Sequence, residues 1–298
     1  MGEKHNWEYD YDYKELNDSI RKRPGMFFGS VGVSGVHNAI LSLVEFLIEN
    51  RKKEIFLTLN GPDITIAYID EQPLNNFWVD AVKAASETFT DENNQYKFRL
   101  DHDIFDNIRP NTDALFDSLR ELAFLNKDLH ITLNGHAFHY GNGLLDLYDY
   151  LQTKSGVYWH SKHEPFSFHA KHGDLEIDVT FAAISSPFDP CIFSYVNNHR
   201  TEEDGDHVDG FMKSLKSVLN NYRQYSCEHF RIWKDFDIGL IVHARTPHPI
   251  YGGSTKRKFI NPDVHQMITS VSKENLNRIF NENPEIAKEF VRCWRCSK

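Results

Sequence analysis

The amino-acid sequence predicts a mixed α+β fold in two halves, each a sheet covered by helices. Three observations carry this. Stretches that alternate apolar and polar residues recur between stretches of helical spacing along the whole chain. Gly61-Pro62 and Asn134-Gly135 separate neighbouring alternating stretches, as hairpin turns do. Finally, 40% apolar and 13% aromatic content over 298 residues suffices for one large or two ordinary cores.

The first 20 residues, rich in Tyr and Asp, read as an extended arm, and Pro24-Gly25 as a turn. From Val36 the spacing of Val36, Ile40, Leu43, Val44, Leu47 and Ile48 predicts a helix with one apolar stripe; Ser42, Glu45 and Glu49 lie off it. "EIFLTLN" (54–60) and "DITIAYID" (63–70) predict a hairpin. "NNFWVDAVKAASETF" (75–89) reads as a helix and "QYKFRLD" (95–101) as a strand. "TDALFDSLRELAFLN" (112–126) is a helix with Thr112 as its cap, and "LHITLNGHAFHY" (129–140) a second hairpin. A connecting helix over 140–156 marks the boundary between domains 1–155 and 156–298. In the second half "PFSFHAKHG", "DLEIDVTFAAI", "CIFSYVNN" and "DIGLIVHART" read as strands. Helices are expected over 207–225 and from about Pro262 onward.

The formal net charge, 33 − 43 = −10, argues against a broad phosphate-binding surface, although "RKR" (21–23) and "TKRK" (255–258) are local basic patches. No apolar run approaches the ~20 residues of a membrane span. "MGEKHNWEYDYDYKE" resembles neither a secretory signal nor a myristoylation site. A cytoplasmic protein without membrane contact is expected. Cys293-x-x-Cys296 lacks the further ligands of a zinc site, and Cys191 and Cys227 are isolated. His160/His163, His169/His172, His199 and His207 form no metalloprotease pattern; on a strand His169 and His172 face opposite ways.

Four stretches, in order, resemble the N-terminal half of the DNA gyrase B and topoisomerase IV B subunits. They are "IRKRPGMFFGS" (20–30), "LRELAFLNKDLHITLNG…FHYGNGLLDLYDYL" (119–151), "YVNNHRTEEDGDHVDGF" (195–211) and "DFDIGLIVHARTPHPIYGGSTKRKFINPDV" (235–264). The resemblance covers almost the whole chain. It implies a reduced GHKL-type (Bergerat-like) α/β sandwich followed by a transducer-type α+β domain.

In that family a Glu on the helix after the RPGM segment acts as general base, and an Asn four residues later binds Mg²⁺. Counted forward from "RPGMFFG", those positions fall on Ser42 and Phe46; counted back from "KEIFLTL", on Asn38 and Ser42. Neither register supplies the pair, and the helix is about one turn short. Glu45 and Glu49, four apart on one face, read either as a solvated acidic face or as two substitute carboxylates for Mg²⁺. The family's D-D-G-R-G motif is reduced to Asp70, at the adenine-reading position, with Pro73 in place of the glycines. The 27 residues between Asp70 and Phe98 contain no glycine, so the phosphate-cradling lid is absent. The family's Gln-Thr-Lys loop, whose Lys reaches the γ-phosphate, matches Ser254-Thr255-Lys256, and its G-G-T-H becomes "DGDH" (204–207).

In-line attack on ATP needs an activated water, a metal and electrostatic cover for the phosphates. The resemblance therefore implies a protein with no catalytic residues and no cofactor, a pseudo-ATPase used as a binding or regulatory scaffold. Lys256, Thr255 and Asp70 are then a vestigial ATP site. The alternative is a divergent ATP-dependent type II topoisomerase component, the one reading that calls for ATP and Mg²⁺. A third is a nucleic-acid-binding module built on the two basic patches. The expected partners are a second copy, held through the N-terminal arm, and topoisomerase subunits. The chain ends at Lys298 without the family's nuclease-like domain, so a complete topoisomerase subunit is not expected.

Overall fold

The computed structural model describes residues 13–69, 77–154, 160–185, 191–225, 238–253 and 255–292. The chain divides into two units, Met1–Gly141 and Asn142–Lys298, each built around its own six-stranded sheet.

The first unit opens with helix α1 (Tyr13–Lys22), where the sequence reads as part of an extended arm. Leu16 and Ile20, one turn apart on one face of the helix, are its buried residues. Residues 1–12 lie outside the described part. The Pro24-Gly25 turn is the start of a short helix, α2 (Pro24–Phe28), with Pro at its first position and Gly29 closing it at φ 74°. Helix α3 (Val33–Glu49) begins one turn earlier than the periodicity suggests. Gly35 permits this start: a Cβ there would lie 2.0 Å from Ser30 O.

Strands β1 (Glu54–Asn60) and β2 (Asp63–Tyr68) form the expected antiparallel hairpin. The stretch 75–89, read as one helix, splits into α4 (Phe77–Ala84) and β3 (Ser86–Glu92). The Thr-Phe-Thr run favours a strand. Asn93 and Asn94, at φ 53° and 57°, make the two-residue turn that pairs β3 with β4 (Gln95–Leu100). Helix α5 (Thr112–Leu125) is capped by Asn111 rather than Thr112; Asn111 Oδ1 accepts from the Asp113 and Ala114 amides. Strands β5 (His130–Leu133) and β6 (His136–Phe138) close the second hairpin, whose Asn134 Oδ1 also accepts from Leu59 N at 2.8 Å. The order is β3-β4-β2-β1-β5-β6, antiparallel except for β1 beside β5. Ile40, Leu43 and Leu47 of α3 share a core with Ile55, Leu57, Ile64 and Ile66 of the sheet.

The second unit begins with α6 (Leu144–Thr153), followed by β7 (His160–Ser161), β8 (Phe166–His172), β9 (Leu175–Ser185), β10 (Cys191–Val196) and β11 (His199–Arg200). Helix α7 (Asp206–Leu219) runs into a 3₁₀ turn over 220–225. Then come β12 (Ile238–Arg245), α8 (Pro262–Glu282) and α9 (Pro284–Arg292). The order is β11-β10-β12-β9-β7, with β8 also on β9 and β10 parallel to β12. Strand β12 is buried along seven of its eight residues, as its near-continuous apolar run requires. Phe211 and Leu215 of α7 and Ile268 and Phe280 of α8 pack with Phe181, Leu240 and Val242. The two helices approach closely at Gly210, where a Cβ would stand 3.1 Å from His265 O. Ser214 Oγ donates across the contact to Thr269 O at 2.6 Å. Among the described residues no helix is long and apolar enough to cross a membrane.

Candidate functional site

In the first unit the site candidates lie on α3 and at the end of β2. Phe46, the metal-ligand position in one register, is 3% exposed within the core. Ser42 Oγ–H donates back into its own helix, 2.7 Å from Asn38 O with Ala39 O at 3.1 Å. Asn38, the base position in the other register, donates from Nδ2 to Phe28 O at 2.9 Å and so ties α3 to α2. All three positions serve the helix and its packing, and none carries a carboxylate. Glu45 and Glu49 keep their spacing, half-buried and exposed, but neither is without a partner. Without a Glu–Asn pair in either register, these residues do not fit an Mg²⁺-bound nucleotide.

Asp70 lies outside the described residues. Just before it, Tyr68 closes β2, 5% exposed, with its ring 5.7 Å from that of Tyr96. Phe89 stacks on Tyr96 and Phe98 at 6.1 and 6.0 Å. Burial, with the Tyr68 hydroxyl nearby, pushes the Tyr96 phenol well above its usual range, as a dry interior does. Strand β3, which the sequence reading missed, supplies Phe89 to this aromatic layer. The signal for it was the alternation Thr88-Phe89-Thr90, hidden by the helical run before it.

In the second unit Thr255 is exposed, and Lys256 takes φ 55° on the loop between β12 and α8; Ser254 is outside the described residues. Lys256 Nζ donates to His199 Nε2 at 2.8 Å. Burial, reinforced by the Lys256 charge, pushes His199 down to about 4, so its ring is neutral and accepts. Arg257 is held by two carboxylates, Nε to Glu202 Oε2 at 3.0 Å and Nη1 to Glu203 Oε1 at 3.4 Å. The backbones lock as well: Glu203 N donates to Arg257 O at 2.8 Å and Phe259 N to Asp204 O at 3.0 Å. Gly205, at φ 139°, is required here, because a Cβ would sit 2.1 Å from Phe259 O. Within "TKRK", Arg257 is thus met by an acidic turn, and Lys256 by His199, more than 50 positions earlier in the chain. Sequence reasoning missed His199, Glu202 and Glu203 as partners; opposite charge in "TEED" and "TKRK" was the only signal.

Behind the loop a polar chain runs inward. Ser194 Oγ lies 2.8 Å from Asp204 Oδ1 and 2.7 Å from Thr201 Oγ1, which is 3.3 Å from His207 Nε2. His207 Nδ1 is buried without a hydrogen-bond partner, and burial pushes this imidazole down to about 3. His243 is also buried; Nε2 donates to Asn197 O at 2.6 Å and Nδ1 accepts from Arg245 Nη1 at 3.0 Å. Burial and then the Arg245 charge push it down to about 3. His169 pairs with Asp178 at 2.9 Å, whereas His172 is on the opposite face of β8. His163 Nε2 accepts from Ala183 N, a structural role.

Of the other basic patch, Arg21 pairs with Asp101 at 2.6 Å and Lys22 approaches Asp18 at 4.0 Å. Among the described residues the one cluster with metal-ligand spacing is Asp101-His102-Asp103, and Arg21 already occupies Asp101. Cys191 is half-buried; Cys227, Cys293 and Cys296 lie outside the described residues.

With this geometry in place, comparison with known proteins adds three findings. The family model described as DNA gyrase B matches residues 143–294. The DNA gyrase B subunit of Myxococcus xanthus is 27% identical over 281 residues, 88% of this chain and 32% of that protein. The DNA gyrase B subunit of Staphylococcus epidermidis is 28% identical over 274 residues, 86% of this chain and 41% of that protein. The chain thus spans less than half the length of these curated relatives. Among solved structures, the B-subunit of the Myxococcus xanthus DNA gyrase superposes with a TM-score of 0.78 at 19% identity, over 92% of this chain and 98% of that one. The 43K ATPase domain of Thermus thermophilus gyrase B, in complex with an aminocoumarin, gives 0.74 at 21% identity, over 92% of each chain. Both likenesses bear on the fold, which agrees with the expected sandwich followed by a second α+β unit.

Proposed function

The chain belongs to the DNA gyrase B family, and on that premise we propose that it keeps the family's two-part scaffold, has given up ATP hydrolysis and acts as a binding or regulatory protein. One observation carries the reading. Of the two positions where the family's Mg²⁺ ligand falls, one register each, Phe46 is a core residue at 3% exposure and Ser42 donates into its own helix. Hydrolysis needs a base and a metal held together; in neither register do the α3 positions supply them. The aromatic layer beside the end of β2 and the engagement of Lys256 and Arg257 support the same reading.

Lys256, Thr255 and Asp70 are then remnants of a nucleotide site. Calorimetric titration with a non-hydrolysable ATP analogue and Mg²⁺ is expected to give no micromolar binding. Micromolar binding that disappears in Lys256→Ala would instead support the divergent ATP-dependent topoisomerase component. The net charge of −10 and the ion pairs of Arg21 and Arg257 weigh against a nucleic-acid module.

The partners that fit a scaffold of this family are a second copy, joined through the N-terminal arm with its "NWEYDYDY" stretch, and topoisomerase subunits in the cytoplasm. Sedimentation velocity without nucleotide is expected to show a dimer that dissociates when residues 1–12 are removed. A monomer at high concentration would contradict the arm-mediated pairing.

A further inference from the structure

The loop after β12 carries Lys256, Arg257 and Lys258 in succession, all exposed. Such a run, held open, would be a small site for a linear oligophosphate. In this chain its central cation, Arg257, is already paired with an acidic turn. Glu202 and Glu203 take the Arg257 guanidinium from two directions, at 3.0 and 3.4 Å. His199, neutral, receives Lys256 at 2.8 Å. Three backbone bonds hold the segments together: Glu203 N to Arg257 O, Phe259 N to Asp204 O and Asp206 N to Phe259 O, at 2.8, 3.0 and 3.0 Å. Gly205, which tolerates no side chain against Phe259, fixes the turn that presents the two glutamates.

We propose that the Glu202–Glu203 turn is a built-in counter-ion that occupies the basic loop 255–258 and keeps oligophosphate chains off it. The inference deepens the functional reading above and rests on it: the loop is the remnant of a phosphate contact, and this turn is what silences it. The geometry makes the turn a competitor for the same guanidinium that a phosphate would take. Two carboxylates already face the Arg257 Nε and Nη1 donors, so a phosphate reaching this guanidinium must displace them or meet their charge. Charge on the turn, rather than its shape, does the excluding. The backbone bonds remain when the carboxylates are replaced by amides.

The test uses the full chain and inorganic tripolyphosphate. The variant Glu202→Gln/Glu203→Gln is expected to bind tripolyphosphate about three- to tenfold more tightly than the parent at low salt, the range that two exposed ion pairs can contribute. Its affinity should also fall more steeply with salt, as one more cation becomes available. Adding Arg257→Gln should return the affinity to the parent's value. A control, Glu87→Gln/Glu92→Gln on β3, changes the net charge equally and should bring no gain. Thermal unfolding of each variant, expected to match the parent, excludes loss of the fold. No gain in the first variant, an equal gain in the control, or a gain that survives Arg257→Gln would each overturn the proposal. So would a gain confined to a nucleoside triphosphate analogue, since the site is assigned to the phosphate chain. ATP turnover by the parent is a separate readout and bears on the non-hydrolysing reading alone.

Discussion

Replacing Phe46 with asparagine is expected to destabilise the first unit by about 3–5 kcal/mol and to create no metal site. The substitution restores on paper the residue type that the family uses for Mg²⁺. Phe46, however, is 3% exposed and belongs to the cluster that joins α3 to the sheet. Removing the ring leaves a cavity, and the amide would sit in it without partners. Ser42→Glu is the informative contrast. Ser42 is half-buried, and its hydroxyl only returns to the backbone of its own helix, so the change should cost no more than about 1 kcal/mol. Urea denaturation of both variants reads the difference. If Phe46→Asn were as stable as the parent, the position would not be core, and the main argument against a metal there would fail.

The second large effect is acid sensitivity of the second unit. His207 and His243 are buried and pushed down to about 3, while in the unfolded chain each titrates near 6.5. Below pH 6.5 the unfolded state therefore binds more protons than the folded one. Stability is fully present above that pH and is lost as pH falls toward the folded values. Each histidine removes about 1.4 kcal/mol per pH unit within the window, so the pair costs about 4 kcal/mol between pH 8 and pH 5. His199, pushed down to about 4, adds in the same direction. Denaturant unfolding at pH 8, 6 and 5 measures this. Stability that stays flat over the range would contradict it. In His207→Leu the pH slope, compared with that variant's own value at pH 8, should fall by about one proton.

Much of the fold was legible because it rests on periodicity. The α3 stripe, the β1–β2 and β5–β6 hairpins and the α7 face all follow from where apolar residues recur. The misreadings have physical causes. Tyr13–Lys22 is polar overall, and only Leu16 and Ile20 reveal its buried side. Strand β3 follows α4 with a single residue between, so propensity ran the two together; its pairing with β4 through Asn93-Asn94 decides the matter, and that is a tertiary fact. The site divides in the same way. Counting narrowed the site to Asn38, Ser42 and Phe46 on one helix but left two registers. That Phe46 is core, that Lys256 rests on His199, and that Glu202 and Glu203 hold Arg257 are contacts across long separations, which spacing does not encode.

The most direct test of the central claim is phosphate release from ATP by the full chain at saturating ATP and Mg²⁺, read against a protein-free blank. The account predicts a rate equal to the blank, unchanged by Lys256→Ala and by Ser42→Glu. Turnover above the blank that is lost in Lys256→Ala would contradict it, and would place this chain among the ATP-hydrolysing members of its family.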